Sequence, residues 1–417
     1  MHLITRLIAL ICIFSSIQSF ATESLKINLR QADSIFLEKN YLLLASSMNI
    51  EAQKALILQS KLYPNPTLSV SFVAYDPENN KALHIGATGQ KTAEIEQLFL
   101  LGGKRKAEIE MAKTNTGIAE IEFQKLVREI KFKLYSNLFS IGQQKKLIGI
   151  YDNQLTLLDK LLESNTLQAQ KGNLPVKDLV RLKGAYLKLN NNRAELIKSY
   201  LDTQSELQTI LRSTKEIVFD FSETDISKYI NSTGLGILID EMHKNHPELL
   251  LLEKDKALAE QYLNYQKKLA IPDLSVSANY DQQSSAFRNE IGAGISLNLP
   301  LWNRNQGNIK YGAFKLKASE YQFKALENEL QSKLKNAFSF YSQTVNEYQK
   351  AKKLYNNDFE DTLIGMNDNF KKRNVSIIEF IDFFESYNDA LTELSRIKTQ
   401  LVNCAEELNL LTGKDIY

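Results

Sequence analysis

Two segments lying roughly 200 residues apart carry the same pattern, so a fold that satisfies one must satisfy the other. Pro64–Phe72 reads PNPTLSVSF and Ile271–Asn279 reads IPDLSVSAN; Lys171–Val180 reads KGNLPVKDLV and Lys372–Ile381 reads KRNVSIIEFI. The helical lead-ins match too, ALILQSKLYPNP against YLNYQKKLAIPD. Each half therefore reads helix, strand hairpin, long helix, tight turn, long helix. The expected organisation is a first repeat over 22–216, with a hairpin at about 67–101 and helices at about 104–165 and 175–212. A linker follows over 217–236, then a second repeat over 237–417, with a hairpin at about 272–301 and helices at about 307–370 and 376–412.

The hairpins alternate with a period of two. Leu68, Val70, Phe72 and Ala74 fall on one face with Ser69 and Ser71 opposite; Leu274, Val276, Ala278 and Tyr280 oppose Asp273, Ser275, Ser277 and Asn279. Ile291, Ala293, Ile295, Leu297 and Leu299 oppose Gly292, Gly294, Ser296 and Asn298 on the return strand. In the first half the return strand, at about Lys91–Leu101, is less regular, with Glu94 and Glu96 sharing a face. Such strands suit a transmembrane barrel, with Leu68, Val70, Phe72, Ile295 and Leu297 toward lipid and Glu94 and Glu96 toward the lumen. A soluble sheet covered by a helix alternates identically. Four strands cannot close a membrane barrel, which needs about eight at least, and open edges are prohibitive in lipid. A lipid-facing reading therefore requires an oligomer.

The helices carry coiled-coil spacing. Leu179, Leu182, Tyr186, Leu189, Arg193, Leu196, Tyr200, Thr203, Leu207 and Ile210 are separated alternately by three and four, interrupted by Arg193 and Thr203. Phe380, Phe384, Tyr387, Leu391, Leu394, Lys398, Leu401, Ala405 and Leu408 repeat the series, interrupted by Lys398. Leu134, Ile141, Ile148, Leu155 and Leu162 recur every seven residues beside a second apolar stripe. Two stripes imply neighbours on both sides, as in a helical cylinder. With no proline from Lys104 to Asn165, this helix would extend roughly 90 Å. Ser376 and Glu379 form a capping box at the second turn, where the first has Pro175 and Asp178.

Residues 1–21 read as a signal peptide: Arg6 supplies the charge, Leu7–Phe14 the apolar stretch and Ser19-Phe20-Ala21 the cleavage site. The chain is thus expected to be exported, with Cys404 as the one remaining thiol. A formal net charge of +2 excludes a global field for nucleic acid. Beyond the N-terminus no 18-residue apolar run offers a transmembrane helix.

YPNPTLSV, LFLLGGKR (Leu98–Arg105) and LPLWNRNQG (Leu299–Gly307) resemble the strand-flanking strings of the TolC-like outer membrane efflux proteins. The last is most similar to the branch that exports cobalt, zinc and cadmium or copper. The resemblance covers almost the whole mature chain. It implies a mainly α fold with a transmembrane β-barrel portion: a trimer sharing a barrel of about twelve strands above a periplasmic α-barrel of long coiled-coil helices. It further implies an outer-membrane location in a Gram-negative cell, outer-membrane lipid around the barrel, and partnership with a periplasmic adaptor and an inner-membrane pump. The adaptor contact would involve Gly172, Asn173, Pro175, Arg373, Asn374 and Ser376. Two departures stand out: Pro175 replaces the family's small polar residue, and Arg373 replaces its second glycine. Both suggest an adaptor contact specialised for a cognate partner.

No convergent set of catalytic groups is present, and no cofactor is expected. GGKR at Gly102–Arg105 lacks the spacing of a phosphate loop and reads as a strand-to-helix bend. His243 and His246 share a helix face, but His246 precedes Pro247 and no cysteine is near, so no metal site is expected. Asp361 and Asp368, with Asp358 and Glu360 nearby, would become acidic rings in a symmetric pore; a solvated face among Lys371, Lys372 and Arg373 is the alternative. Trp302, the single tryptophan, suits a membrane interface or packing equally. The function expected is a passive export duct for small solutes, with heavy-metal cations the leaning that the resemblance adds. The alternative is an exported coiled-coil structural or adaptor protein.

Overall fold

The computed structural model describes residues 24–230, 233–284, 287–355 and 358–417; the expected signal peptide lies outside them. In chain order the elements are β1 (Ser24–Ile27), α1 (Leu29–Lys39), α2 (Tyr41–Lys61), β2 (Thr67–Phe72), β3 (Tyr75–Asp76), β4 (Lys81–Ala82), β5 (Lys91–Phe99), α3 (Lys104–Gln170), α4 (Val176–Leu211), β6 (Glu216–Phe219), α5 (Glu223–Ser227), α6 (Leu235–Asn245), α7 (Pro247–Leu269), β7 (Leu274–Gln283), β8 (Arg288–Leu297), α8 (Gln306–Leu354), α9 (Asp358–Lys371) and α10 (Ile377–Thr412). The helix expected over 307–370 is described as α8 and α9, with 356 and 357 outside the described residues. Helix α3 runs 67 residues, past the expected end near 165.

The chain divides into two compact units. Of the described residues, the first comprises 24–44, Leu126–His246 and Gln331–Tyr417. Its core includes the coiled-coil seam read from the heptads: Leu155, Leu182, Phe380 and Phe384 are buried with Leu147, Leu189, Tyr387 and Leu391, and Leu158, outside the stripes read from the sequence, joins them. The two charged exceptions to the heptads are ion-paired, and the third, Thr203, donates its hydroxyl to the Ser199 carbonyl. Arg193 donates to Asp152 of α3, and Lys398 pairs with Glu223 of α5. A cation on a seam is tolerated where an opposite charge meets its head while its methylenes stay packed.

The stretch expected as a linker, 217–236, is folded over most of its described length. β6 pairs parallel with β1, Ile217 opposite Leu25 and Phe219 opposite Ile27. Gln204 bonds both backbone groups of Ile217, accepting from N–H at 3.0 Å and donating to the carbonyl at 2.7 Å. Phe139, Phe219, Phe221 and Tyr229 then pack ring to ring. The Ser/Thr/Gly content of this stretch hides a short apolar strand whose partner lies far away in sequence.

A polar cluster closes the same unit. Glu406 is 3% exposed, and burial pushes its carboxyl up to about 7. Nearby, Tyr135 donates to Asp33 at 2.7 Å, Lys131 meets Asp415 at 2.6 Å, and Asn409 accepts from the N–H groups of Ile416 and Tyr417.

The second unit comprises Ala45–Lys125 and Pro247–Leu330. It holds an antiparallel sheet in the order β2-β5-β7-β8, so the hairpins of the two repeats pair through β5 and β7. The chain leaves β5 through Gly102 and Gly103, both left-handed at φ 69° and 72°. A Cβ on Gly102 would also lie 2.6 Å from the Ile271 side chain, so two constraints select glycine there.

Candidate functional site

Two regions hold the residues singled out by sequence: the helix turns of the first unit and the sheet of the second. The turns are built alike. After α3, Gly172 N–H donates to Ala169 and Asn173 N–H to Gln168, at 3.0 and 2.9 Å. After α9, Arg373 N–H donates to Phe370 and Asn374 N–H to Asn369, again at 3.0 and 2.9 Å. These are Schellman closures, which place the first donor in the left-handed region. Gly172 has φ 76° and Arg373 φ 62°. Each asparagine amide also reaches back, Asn173 to Gln168 Oε1 and Asn374 to Asn369 Oδ1.

The helices that follow start differently. Pro175 occupies the N-cap of α4 with extended backbone and no side-chain bond. Ser376 caps α10, its hydroxyl accepting from Glu379 N–H at 3.2 Å while Glu379 accepts from Ser376 N–H at 2.9 Å. Those bonds hold the Glu379 carboxyl below its ordinary range. Phe370 stacks on Phe380 at 4.4 Å, fixing α9 on α10 beside the turn. A cavity of about 440 Å³ separates the two turns, lined by Asn165, Gln168, Asn173, Asp178, Arg373 and Ser376 among others. The structure thus brings three of the six turn candidates, Asn173, Arg373 and Ser376, to one cavity wall, with Gly172, Pro175 and Asn374 exposed in the same turns.

Asp361 and Asp368 are both exposed on α9, and Asp368 lies 3.7 Å from Lys371. Seven residues apart, they sit on one side of the helix two turns apart.

The sheet separates polar from apolar faces. Cross-strand partners share a face, and Leu68, Val70 and Phe72 lie opposite Ile95, Ala93 and Lys91. That face continues through Val276, Ala278 and Tyr280 to Ile295, Ala293 and Ile291. Val70 is 64% exposed and Ile295 74%, so none of the described residues covers them. Glu94 and Glu96 lie on the other face, opposite Asn279 and Ser277, which in turn face Gly292 and Gly294. There a Cβ on Gly292 would meet Asn279 Oδ1 at 2.4 Å. The register adds a pair the sequence reading missed: Asp281 and Glu290 are opposite one another on this polar face. Only the pairing of β7 with β8 reveals it, because alternation gives each residue's face and register decides which residues meet.

Trp302 is 87% exposed just beyond β8. His246 is buried, its backbone N–H donating to Met242, and His243 Nε2 lies 3.1 Å from Gln331 Nε2. Among the described residues no group of three or more His, Cys, Asp or Glu side chains is placed to hold a metal, and no helix is long and apolar enough to cross a membrane.

No family model matches the chain. It is 22% identical over 305 residues to the cobalt-zinc-cadmium resistance protein CzcC of Cupriavidus metallidurans, covering 73% of this chain and 70% of that protein. Among solved structures it is similar to CusC, in a study of folding and transmembrane channel formation, with TM-score 0.76 and 14% identity over 93% of this chain and 92% of that one. The CmeC outer membrane channel of Campylobacter jejuni matches at TM-score 0.74 with 12% identity, covering 93% and 87%. The outer membrane protein VceC of Vibrio cholerae matches at 0.70 with 12% identity, covering 93% and 97%.

Proposed function

We propose that this chain, which has the fold of the TolC-like outer membrane efflux channels, is the outer-membrane duct subunit of a tripartite efflux pump. One observation carries the reading: the four-stranded sheet exposes an apolar face and sets carboxylates on the opposite one, while β2 and β8 each have one described neighbour. Lipid tolerates no such edges, so a membrane setting demands further copies whose β8 and β2 continue the ladder. Three copies would close a barrel of twelve strands, as the family resemblance implies.

The duct is passive. Its polar face, with Glu94, Glu96, Asp281 and Glu290, would line the lumen, and rings of carboxylate raise the local concentration of cations. The likeness to a cobalt-zinc-cadmium resistance protein makes heavy-metal cations the favoured cargo. The turns at 172–175 and 373–376 would meet the periplasmic adaptor, and the driving force would come from the inner-membrane pump. No chemistry on the cargo is required.

The mass of the protein extracted from isolated outer membranes tests this reading. A detergent-dependent trimer is the expected result. A monomer released without detergent would transfer the chain to the class of exported coiled-coil spacers or adaptors.

A further inference from the structure

The two turns have the same hydrogen bonds and the same left-handed backbone, yet one carries glycine and the other arginine. Gly172 shows that the turn itself needs no side chain, and a Cβ there would meet nothing within 4 Å. The left-handed region disfavours every residue with a Cβ, and such outliers gather where a side chain serves a purpose outside the local fold. Arg373 is therefore held in an unfavourable conformation that glycine would relieve. Its guanidinium is exposed and has no ion-pair partner among the described residues, and the same holds for Lys171 and Lys372. The segments 171–175 and 371–376 contain Lys171, Lys371, Lys372 and Arg373 and no acid. Of the acids close by, Asp368 faces Lys371, Asp178 on the cavity wall lies 3.8 Å from Arg181, and Glu379 is engaged by Ser376. Val176 and Ile378, 68% and 53% exposed, flank this basic rim, and the cavity between the turns offers amides from Asn165, Gln168 and Asn173.

We infer that the turns are a docking surface for an acidic protein tip, with Arg373, Lys372 and Lys171 receiving carboxylates and Val176 and Ile378 receiving apolar side chains. The inference rests on the proposed function for the identity of that partner, a periplasmic adaptor, and adds the chemistry of its contact. Charge complementarity selects the partner: opposite potentials steer encounter and set register, and like charge rejects adaptors with basic ends. In a symmetric assembly the same rim would recur at each copy, strengthening both effects.

The test uses the full-length protein in nanodiscs with a photo-reactive residue at Asn374 and the periplasmic adaptor from the same cells as probe. The expected result is a cross-link to a segment rich in Asp and Glu, weakened by salt and reduced about tenfold by Arg373→Glu with Lys372→Glu. Arg373→Gly serves as the control for folding. It relieves the left-handed position, so a purely structural role predicts unchanged or stronger cross-linking, whereas docking predicts a loss. Equal yields across these variants, or a cross-linked segment rich in Lys and Arg, would overturn the charge assignment while leaving docking at the turns intact. A cross-link to anionic lipid instead would replace the partner with a membrane surface and sink the inference. No cross-link from a protein that still exports would remove both the inference and the adaptor contact.

Discussion

The ammonium of Lys104, in the first turn of α3, lies 2.7 Å from the carboxylate of Asp273, the residue before β7. Lys104 is 4% exposed; it also donates to the Ile271 carbonyl at 2.7 Å, while Asp273 accepts from Leu101 N–H at 2.9 Å. The pair therefore joins the exit from the first repeat's hairpin to the approach of the second's. Asp273→Ala strands the buried ammonium and should cost about 3 kcal/mol, whereas Lys104→Ala leaves a carboxylate that is 27% exposed and should cost less. Chemical unfolding in detergent measures both; a loss below about 1 kcal/mol in Asp273→Ala would place the pair among exposed ion pairs.

The buried carboxyl of Glu406 predicts a pH dependence of definite sign. Its folded pKa, about 7, stands above the ordinary 4.5 because burial disfavours the charge. The folded state then holds the proton where the unfolded state has released it, so stability falls as pH rises from about 4.5 to about 7 and levels off above. Asp33, raised by burial, acts in the same direction. Asp415 acts oppositely: burial raises it, but Lys131 and Arg128 outweigh that and lower it, so its contribution is lost at acid pH. Comparing wild type with Glu406→Gln isolates the single group. The variant should gain up to about 3 kcal/mol relative to wild type on going from pH 4.5 to pH 8; an identical pH slope in both proteins contradicts the assignment.

Leu297→Arg places a cation on the apolar face of β8. At the bilayer midplane this costs about 2–4 kcal/mol and should lower the inserted fraction, whereas Ser277→Arg on the opposite face should insert normally. Reversed behaviour of the two variants would mean that the sheet faces are assigned the wrong way round.

Single-channel recordings in planar bilayers separate the two proposed acidic regions. Glu94→Gln with Glu96→Gln should reduce cation preference if the polar face lines the lumen, and Asp361→Asn with Asp368→Asn should do so if α9 forms a constriction. Unchanged selectivity in the second variant would leave those aspartates as a solvated face beside Lys371.

Much of the architecture was legible because its signals are local. Heptads such as Phe380, Phe384, Tyr387 and Leu391 declare a buried stripe wherever the partner helix comes from, and alternation in Leu274–Tyr280 declares two faces before any strand is paired. The capping box at Ser376 and the glycines at 102 and 103 likewise depend on backbone within a few residues. The repeat itself showed that the two turns should correspond, and their hydrogen bonds do.

Other features were decided only by tertiary contact. Four residues, Ser24–Ile27, are too short to announce a strand; pairing with Glu216–Phe219 makes both strands real and buries a stretch that reads as a linker. Arg193 and Lys398 look like faults in a heptad until Asp152 and Glu223 are placed opposite them. Asp281 meets Glu290 through strand register, and Arg373 shares the conformation of Gly172 through the closure of a turn. The sequence by itself determined which surfaces are apolar and where the chain turns, because periodicity and capping are short-range properties. The tertiary structure decided which charges meet and which strands pair, because those depend on residues brought together from distant parts of the chain.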